Sequence, residues 1–479
     1  MPPGDTARLY HRLTSYSPER EFTEPLDDPR VVQGFVQNDY ETVPPFCKGY
    51  PDGLPRVELP REWEHGSAAT LALAGQESAR PLSVSVLARL LFLSSGVVRT
   101  SHRRGRDWLF RAAGSAGGRF PLELYVSVRG VDGLGDGVHW YDPVGHALLR
   151  IGPAAEGTAT TLIVTGVPWR TGWRYAERGF RHIYWDAGTM LAQALALAGQ
   201  ARLWSRFPDA PLTRLVGADG THEFPVALVA LEPGAPAIEP GGDAAAGSID
   251  TTPQEFPLVT QAQHAGDVDE LGEPWPDTTL EAAPDSPSLD DVILKRGSTR
   301  LMDASASVSR EVFAFALAAS LRGTRVPHWI AVHAVDGLAP GLYRWPDFSR
   351  PLRPGDLREV MLRACWDQDL GRDAAFVVMA ATDLDALDDR GYREAQLDAG
   401  IVEGRLHLAA SALGIGASGM TFLDSEIEPL LGDGLSGLLF TCVGVPTYRS
   451  KGGGKPGAPT SVVIPEAGLT LPSGEQMDA

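Results

Sequence analysis

The 479-residue sequence predicts an α+β fold laid down twice in one chain. Three observations carry that expectation. Short β-rich runs alternate with long apolar helical patterns, as in sheets with helices packed on them. A set of motifs in the first half returns in the second with its internal spacing kept, which marks a tandem duplication. Between the two blocks, residues 232–289 are dominated by proline, glycine, alanine and acidic side chains. That composition buries little apolar surface and suits an exposed linker or a loosely packed belt.

Residues 1–80 form an N-terminal arm. Pro44-Pro45-Phe46-Cys47-Lys48-Gly49-Tyr50-Pro51 and Leu59-Pro60 mix proline with aromatics, which holds a chain extended against another surface. In residues 82–96, Val86, Leu87, Leu90, Leu91 and Phe92 recur at helical spacing, with Ser83 or Ser85 as the cap. Leu122–Val128 is a β-rich run followed by an Asp132-Gly133 turn. Residues 137–141, 147–151 and 160–164 read as further strands. A helix is expected over residues 186–204, carrying Met190, Leu191, Leu195 and Leu197. A strand at residues 225–231 closes a first domain, residues 81–231. A second domain takes residues 290–479.

The repeat is explicit. Val131-Asp132-Gly133-Leu134 returns as Val335-Asp336-Gly337-Leu338, and Gly137-Val138-His139-Trp140 is answered by Gly341-Leu342-Tyr343-Arg344-Trp345. Arg178-Gly179-Phe180-Arg181, four further residues, then Asp186-Ala187-Gly188 recurs as Arg390-Gly391-Tyr392-Arg393, four residues, then Asp398-Ala399-Gly400. Each copy leads into a long apolar helix. Because Arg178, Arg181, Arg390 and Arg393 occur in both halves, they suit a structural role where the halves meet.

Composition bounds the function. A hydrophobic share of 43% and a charged share of 22% are those of a soluble globular protein, and the length asks for two or more cores. A net charge of −19 opposes binding to a nucleic-acid backbone or an anionic membrane. The N-terminal residues lack an apolar signal core and no apolar run reaches spanning length. Cys47, Cys365 and Cys442 lie far apart and read as buried thiols of a reducing compartment. The expected location is the cytoplasm. No histidines have zinc-ligand spacing, and no Gly-x-Ser-x-Gly elbow is present. Gly414, Gly416 and Gly419 spell Gly-x-Gly-x-x-Gly, but after a helix, which fails the context of a dinucleotide site.

Lys295-Arg296-Gly297-Ser298-Thr299-Arg300 alternates two arginines and a serine before a helical pattern. Planar guanidinium forks and a hydroxyl aimed at one point suit a phosphate; the same residues would also serve as a solvated basic turn. The run resembles the R-x-S-x-R segment that opens the flavin mononucleotide (FMN) site of the nitroreductase superfamily. The first half adds R-x-x-x-S-x-G-G from Arg111, P-L-E-L-Y-V from Pro121, G-V-H-W-Y-D-P-x-x-H-x-L from Gly137 and R-Y-x-x-R-G-F-R from Arg174. In this order the motifs resemble the SagB-type azoline dehydrogenases of that superfamily, over residues 80–231 and 290–460. The family's domains form two-fold dimers with FMN at the interface, each site built from both protomers. The resemblance therefore implies two tandem FMN-dependent nitroreductase-like domains forming an intramolecular pseudo-dimer, monomeric as a chain.

The same resemblance implies one complete site. The second half keeps the phosphate motif (Arg296, Ser298, Arg300), whereas Gln76-Glu77-Ser78-Ala79-Arg80 has lost it. Only the first half keeps the small-residue loop from Arg111 through Ser115 and Gly117 to Gly118, which in the family lines the flavin from the opposite protomer. No such loop precedes Pro327-His328-Trp329. Residues 414–420, with Gly419 and Met420, match the family loop whose backbone N–H approaches flavin N5. Gly199-Gln200-Ala201-Arg202-Leu203-Trp204 stands there in the first half. One FMN per chain is expected. Arg449 and Lys451, with Lys455 nearby, are candidates for further phosphate contacts or for a solvated basic loop.

Arg174-Tyr175 replaces the family's Lys-Tyr pair. Tyr175 is the candidate to take or relay a ring proton. A free phenol near pKa 10 is a poor base, and the fixed charge of Arg174 is expected to favour phenolate. Arginine cannot itself accept the proton. The bland alternative is a packed aromatic beside a surface charge. The implied activity is FMN-dependent oxidation of thiazoline or oxazoline rings of a ribosomally made peptide to thiazoles or oxazoles. Its partners would be the azoline-containing precursor peptide and the cyclodehydratase that makes those rings. The alternatives are a nicotinamide-dependent nitroreductase or flavin reductase acting on small molecules, and a flavin-free scaffold of a peptide-modifying complex.

Overall fold

The computed structural model describes residues 2–19, 39–78, 80–276 and 278–463. Part of the expected arm and the end of the expected second domain, residues 464–479, lie outside them. The arm contributes helix α1 (Asp5–Leu13) and strand β1 (Arg56–Glu58). Helices α2 (Ala69–Leu73) and α3 (Val84–Ser95) follow. Ser83 caps α3, its hydroxyl accepting from the Val86 N–H. Next come strands β2 (Val97–Arg103), β3 (Arg106–Arg111), β4 (Leu122–Val128), β5 (Gly137–Asp142), β6 (Ala147–Gly152) and β7 (Thr161–Gly166). Helices α4 (Pro168–Tyr175) and α5 (Gly179–Ala198) lead to β8 (Arg202–Trp204) and β9 (Phe224–Ala230).

The connecting stretch holds helix α6 (Pro257–Ala265). The second half then runs α7 (Leu289–Lys295), α8 (Arg310–Leu321), β10 (His328–Val332), β11 (Gly341–Arg344), β12 (Arg353–Pro354) and β13 (Phe376–Thr382). It ends with α9 (Asp389–Ala412), β14 (Gly416–Met420), β15 (Ser436–Gly444) and β16 (Thr460–Ser461).

Two antiparallel sheets result. The first orders its strands β1-β6-β5-β4-β7-β9-β8, the second β12-β11-β10-β13-β15-β14. Without β1, added by the arm against β6, the two orders match strand for strand. The duplication is thus written in topology as well as in motifs. Alternate residues of β4 serve two cores, Leu122, Leu124 and Val126 on one face and Tyr125 on the other, as a period of two demands. A third sheet, β16-β2-β3, joins the C-terminal tail to the first half, with β16 parallel to β2.

The long helices α5 and α9 cross at the repeated Asp-Ala-Gly. A β-carbon on Gly400 would lie 2.6 Å from the carbonyl oxygen of Trp185, and one on Gly188 would strike the backbone of Gly400. Around this pseudo-two-fold point the same ion pairs are made twice. Asp424 takes Arg178 and Arg181 at 2.7 and 2.8 Å; Asp209 takes Arg390 and Arg393 at 2.6 and 3.2 Å. Each arginine pair comes from one half and its carboxylate from the other.

The structure moves one boundary, adds one element and chooses between the two alternatives for the connecting stretch. Helix α5 begins at Gly179, so the Arg-Gly-Phe-Arg motif lies at its start. It ends at Ala198 because Gly199 takes φ 71°, a left-handed residue that stops a helix. The β2–β3 hairpin was not foreseen. The stretch after residue 231 is fastened down over much of its course: Ala237, Ile238, Leu258, Val259 and Ala262 are buried, so it is a packed belt and not an open tether.

Candidate functional site

Arg296 is the residue after α7, where the chain turns extended (φ −58°, ψ 139°). Its guanidinium is buried in contact with the other half, Nη2 donating to the Ala112 carbonyl at 2.6 Å. Its Nε and Nη1 are also buried and meet no acceptor among the described residues. Burial, and then the charge of Arg99, push its pKa down to about 10. A buried donor left unmatched costs about 1–3 kcal/mol. Two such donors on one planar fork are fitted to a tetrahedral anion.

Arg99, on β2 of the first half, holds the loops around that fork. Its Nη2 donates to the carbonyls of Leu294 (2.8 Å), Arg296 (3.2 Å) and Lys451 (3.0 Å). The Gly453 N–H reaches Leu294 and the Gly454 N–H reaches Val98. Thr299 N–H donates to Ala417 at 2.9 Å, tying the arginine loop to β14. Arg300 N–H donates to the Tyr448 hydroxyl, which reaches the Ser298 carbonyl at 3.4 Å. Ser298, Arg300, Arg449 and Lys451 are all exposed. The basic C-terminal loop therefore lies beside Arg296 by construction of the backbone.

The 111–118 loop of the first half closes the other side. Arg111 is buried, with Nη1 on the Ser95 hydroxyl and the Leu122 carbonyl, both at 2.8 Å, and its plane over Phe46. Ser115 donates to Asp186 and accepts from the Phe120 N–H at 2.7 Å, while the Ala116 N–H donates to Asp186 at 2.9 Å. Arg111 and Ser115 thus brace the loop from within. Burial raises the Asp186 carboxyl to about 8. The corresponding turn of the second half, Thr324 to Val326, is held by Asp398 in the same manner. That turn, Arg322-Gly323-Thr324-Arg325-Val326, carries no run of small residues like that of the 111–118 loop.

Gly117 takes φ 59°, and a β-carbon there would lie 2.7 Å from both Arg174 Cδ and the Tyr175 hydroxyl. Arg174 and Tyr175 end α4, just before Ala176 turns to φ 46°, a costly conformation for a non-glycine residue. The Tyr175 ring stacks on His182 with centroids 4.0 Å apart. Burial raises the Tyr175 pKa and outweighs the opposing charge of Arg174. The balance of these influences runs against the phenolate that Arg174 was expected to favour. Residues 416–420 form an edge strand of the second sheet, paired with β15, where a loop was expected. Above it sits the Glu403 carboxylate, so close to Gly419 that any side chain there would displace it. Met420 is buried.

No family model matches the chain. Over 133 residues, 25% of this chain, it is 31% identical to a protein of Methanocaldococcus jannaschii provisionally named a nitroreductase. The chain spans 64% of the length of that relative. A crystal structure of a protein from Anabaena variabilis, also provisionally named a nitroreductase, superposes with a TM-score of 0.70 at 23% identity. The match covers 92% of this chain and 99% of the other, so both halves are included. The chain has the nitroreductase fold. A nitroreductase from Ralstonia eutropha, again provisionally named, covers 38% of this chain with a TM-score of 0.30.

Within this nitroreductase fold, Arg296, Arg99 and the 111–118 loop come together from both halves. Ser298 and Arg300 on the arginine loop and Arg449 and Lys451 on the neighbouring C-terminal loop are exposed, and Arg174, Tyr175 and Gly117 form a second group along the 111–118 loop. Sequence reasoning missed Arg99, Glu403, His182 and Asp186 as site neighbours. Asp186 carried a usable signal, since it opens the repeated Asp-Ala-Gly. The others carried none: Arg99 lies in the unforeseen hairpin, and Glu403 and His182 are helix residues whose direction only the crossing of α5 and α9 decides. Among the described residues no cluster of His, Cys, Asp and Glu could hold a metal ion, and no helix is long and apolar enough to cross a membrane.

Proposed function

We propose that the chain is an FMN-dependent oxidoreductase with one cofactor site, and that it oxidises azoline rings in a ribosomally made peptide. The observation that carries the reading is Arg296, a buried guanidinium with two unmatched donors at the junction of the halves. In this reading Arg296 holds the FMN phosphate, with Ser298 and Arg300 from the same loop and Arg449 and Lys451 from the C-terminal loop. The backbone edge at Gly419 and Met420 faces the ring, and the loop around Gly117, braced by Arg111 and Ser115, covers it. When bound, the flavin supplies the two-electron acceptor.

Oxidation of an azoline removes one hydrogen with its electron pair and another as a proton. Tyr175 is the group for the proton. As a half-buried phenol it would relay, its oxygen receiving the ring proton while its own proton passes to solvent, with the charge of Arg174 favouring the deprotonated side of that exchange. The precursor peptide and its cyclodehydratase are the proposed partners, in the cytoplasm. A second reading, reduction of a small nitroaromatic or quinone by a nicotinamide, is favoured by the name of the M. jannaschii relative.

The test begins with the visible spectrum of the purified protein and the flavin it releases. One FMN per chain is expected, with the Arg296→Ala protein colourless. Absence of flavin after reconstitution overturns the enzyme reading and leaves a scaffold. Turnover of an azoline peptide in preference to NAD(P)H with a nitroaromatic selects the first activity, and the reverse selects the second.

A further inference from the structure

The pseudo-two-fold axis maps three parts of the composite site onto counterparts. The Arg296 loop maps onto Gln76 and its neighbours, the 111–118 loop onto residues 322–326, and β14 onto β8. At the composite site these elements bond to one another directly, Arg296 to Ala112 and Thr299 to Ala417. At the counterpart, one stretch of the connecting belt runs among all three.

Its contacts can be followed along the chain. Gly272 N–H donates to the Arg206 carbonyl just past β8. Trp275 N–H donates to Leu203 on β8 at 2.7 Å, and its indole Nε1 donates to the Ser205 hydroxyl at 2.7 Å. The guanidinium of Arg325, on the turn that Asp398 holds, lies over the Trp275 ring at 4.5 Å. Arg322 donates to the carbonyls of Thr278 and Leu73. Leu280 N–H donates to Ala74, and the Gln76 side chain donates to the Leu280 carbonyl. Where Arg296 brings a buried cation, Gln76 brings a neutral amide already bonded to the belt.

We propose that the belt is a built-in occupant of this second site. Residues 272–276 and 278–280 fill the space that the fold would give to a second planar cofactor, and the Trp275 indole stands in for its ring. Backbone hydrogen bonds, the Ser205 hydroxyl and the Arg325 cation hold the indole as a ligand would be held. The site is therefore closed by the chain itself as well as stripped of its phosphate grip. That the first site takes flavin rests on the proposed function; the occupancy of the second rests on the symmetry and these contacts.

The experiment is a binding count on the full-length protein. Residues 272–276 are replaced by glycine and serine, and Trp275→Ala is made separately. FMN-saturated wild-type protein is expected to take up no riboflavin. The FMN-saturated belt variant is expected to bind one riboflavin per chain, because the opened pocket accepts a ring but has no arginine for a phosphate. The Trp275→Ala protein is expected to melt lower than wild type and to regain part of the loss with added indole. Two FMN per wild-type chain, or a folded belt variant that takes up no riboflavin, overturns the proposal. Should the belt variant fail to fold, the indole response decides, and its absence overturns the proposal. If the wild-type protein binds no FMN, the proposed function fails, while riboflavin uptake by the belt variant still reports on the second pocket.

Discussion

Gly188 and Gly400, each the last residue of the repeated Asp-Ala-Gly, meet backbone to backbone where α5 crosses α9. A β-carbon on either would run into main chain, which cannot step aside as a flexible side chain can. Gly188→Ala should therefore part the helices and cost about 1–3 kcal/mol, the usual penalty of overpacking. Gly135, with nothing within 4 Å of an added β-carbon, supplies the control. Thermal unfolding of Gly188→Ala, Gly400→Ala and Gly135→Ala checks the point: the first two should melt clearly lower, the third near wild type.

The buried ion pairs that flank this crossing set an acid limit on stability. The charges of Arg178 and Arg181 hold the Asp424 carboxyl well below the usual carboxylate range, overcoming its burial. A depressed carboxylate stabilises the fold above its unfolded pKa of about 4, and that contribution is lost as pH falls toward the folded value. Asp424→Asn leaves two buried arginines without their counter-charge, and breaking such a pair costs about 3–5 kcal/mol. Urea unfolding at pH 7 should show that loss. Between pH 5 and pH 3 the gap between wild type and variant should narrow.

How much of this was legible depended on whether the signal was local. The strands β4 to β7 were readable because each is a short β-rich run bounded by turn residues. The duplication was readable because Arg178, Gly179, Asp186 and Gly188 keep their spacing in the second copy. The role of the four repeated arginines followed from their presence in both halves, and their partners Asp209 and Asp424 confirm it in geometry. The hairpin β2–β3 was not readable, since Arg99, Arg103, Arg104 and Arg106 interrupt any apolar alternation. Nor was the phenol of Tyr175: the charge next to it in sequence is outweighed by burial, a property of the assembled fold. Composition left the connecting stretch open between linker and belt for the same reason, because whether Ala237, Leu258 and Val259 find a surface to pack on depends on the two assembled domains.

Asp186 predicts the opposite pH response. Its folded pKa of about 8 lies above the unfolded value near 4, so the folded state holds the extra proton between them. Stability from this group is present below about pH 4 and declines as pH rises through that window, with a slope of at most about 1.4 kcal/mol per pH unit. Asp186→Asn cannot ionise and still offers an acceptor to Ser115. Its stability should fall less steeply than wild type between pH 5 and pH 8, measured by denaturant unfolding at each pH. Equal slopes would show that the carboxyl titrates normally.

Tyr175 and Arg174 predict a split between cofactor binding and turnover. Both side chains lie against Gly117, on the loop that covers the proposed flavin. Tyr175→Phe keeps the ring that stacks on His182 and removes only the hydroxyl. It should retain the wild-type flavin content while kcat on an azoline peptide falls about 10²- to 10⁴-fold, the range expected for a positioned proton-transfer group. Arg174→Lys keeps the charge and adds a group that can shed a proton, so its kcat should stay within about tenfold of wild type while its pH profile shifts. Arg174→Ala should lose more, since burial then raises the phenol against the charge of Arg119 alone. Unchanged kcat in Tyr175→Phe would return the pair to packing and move the proton to another group.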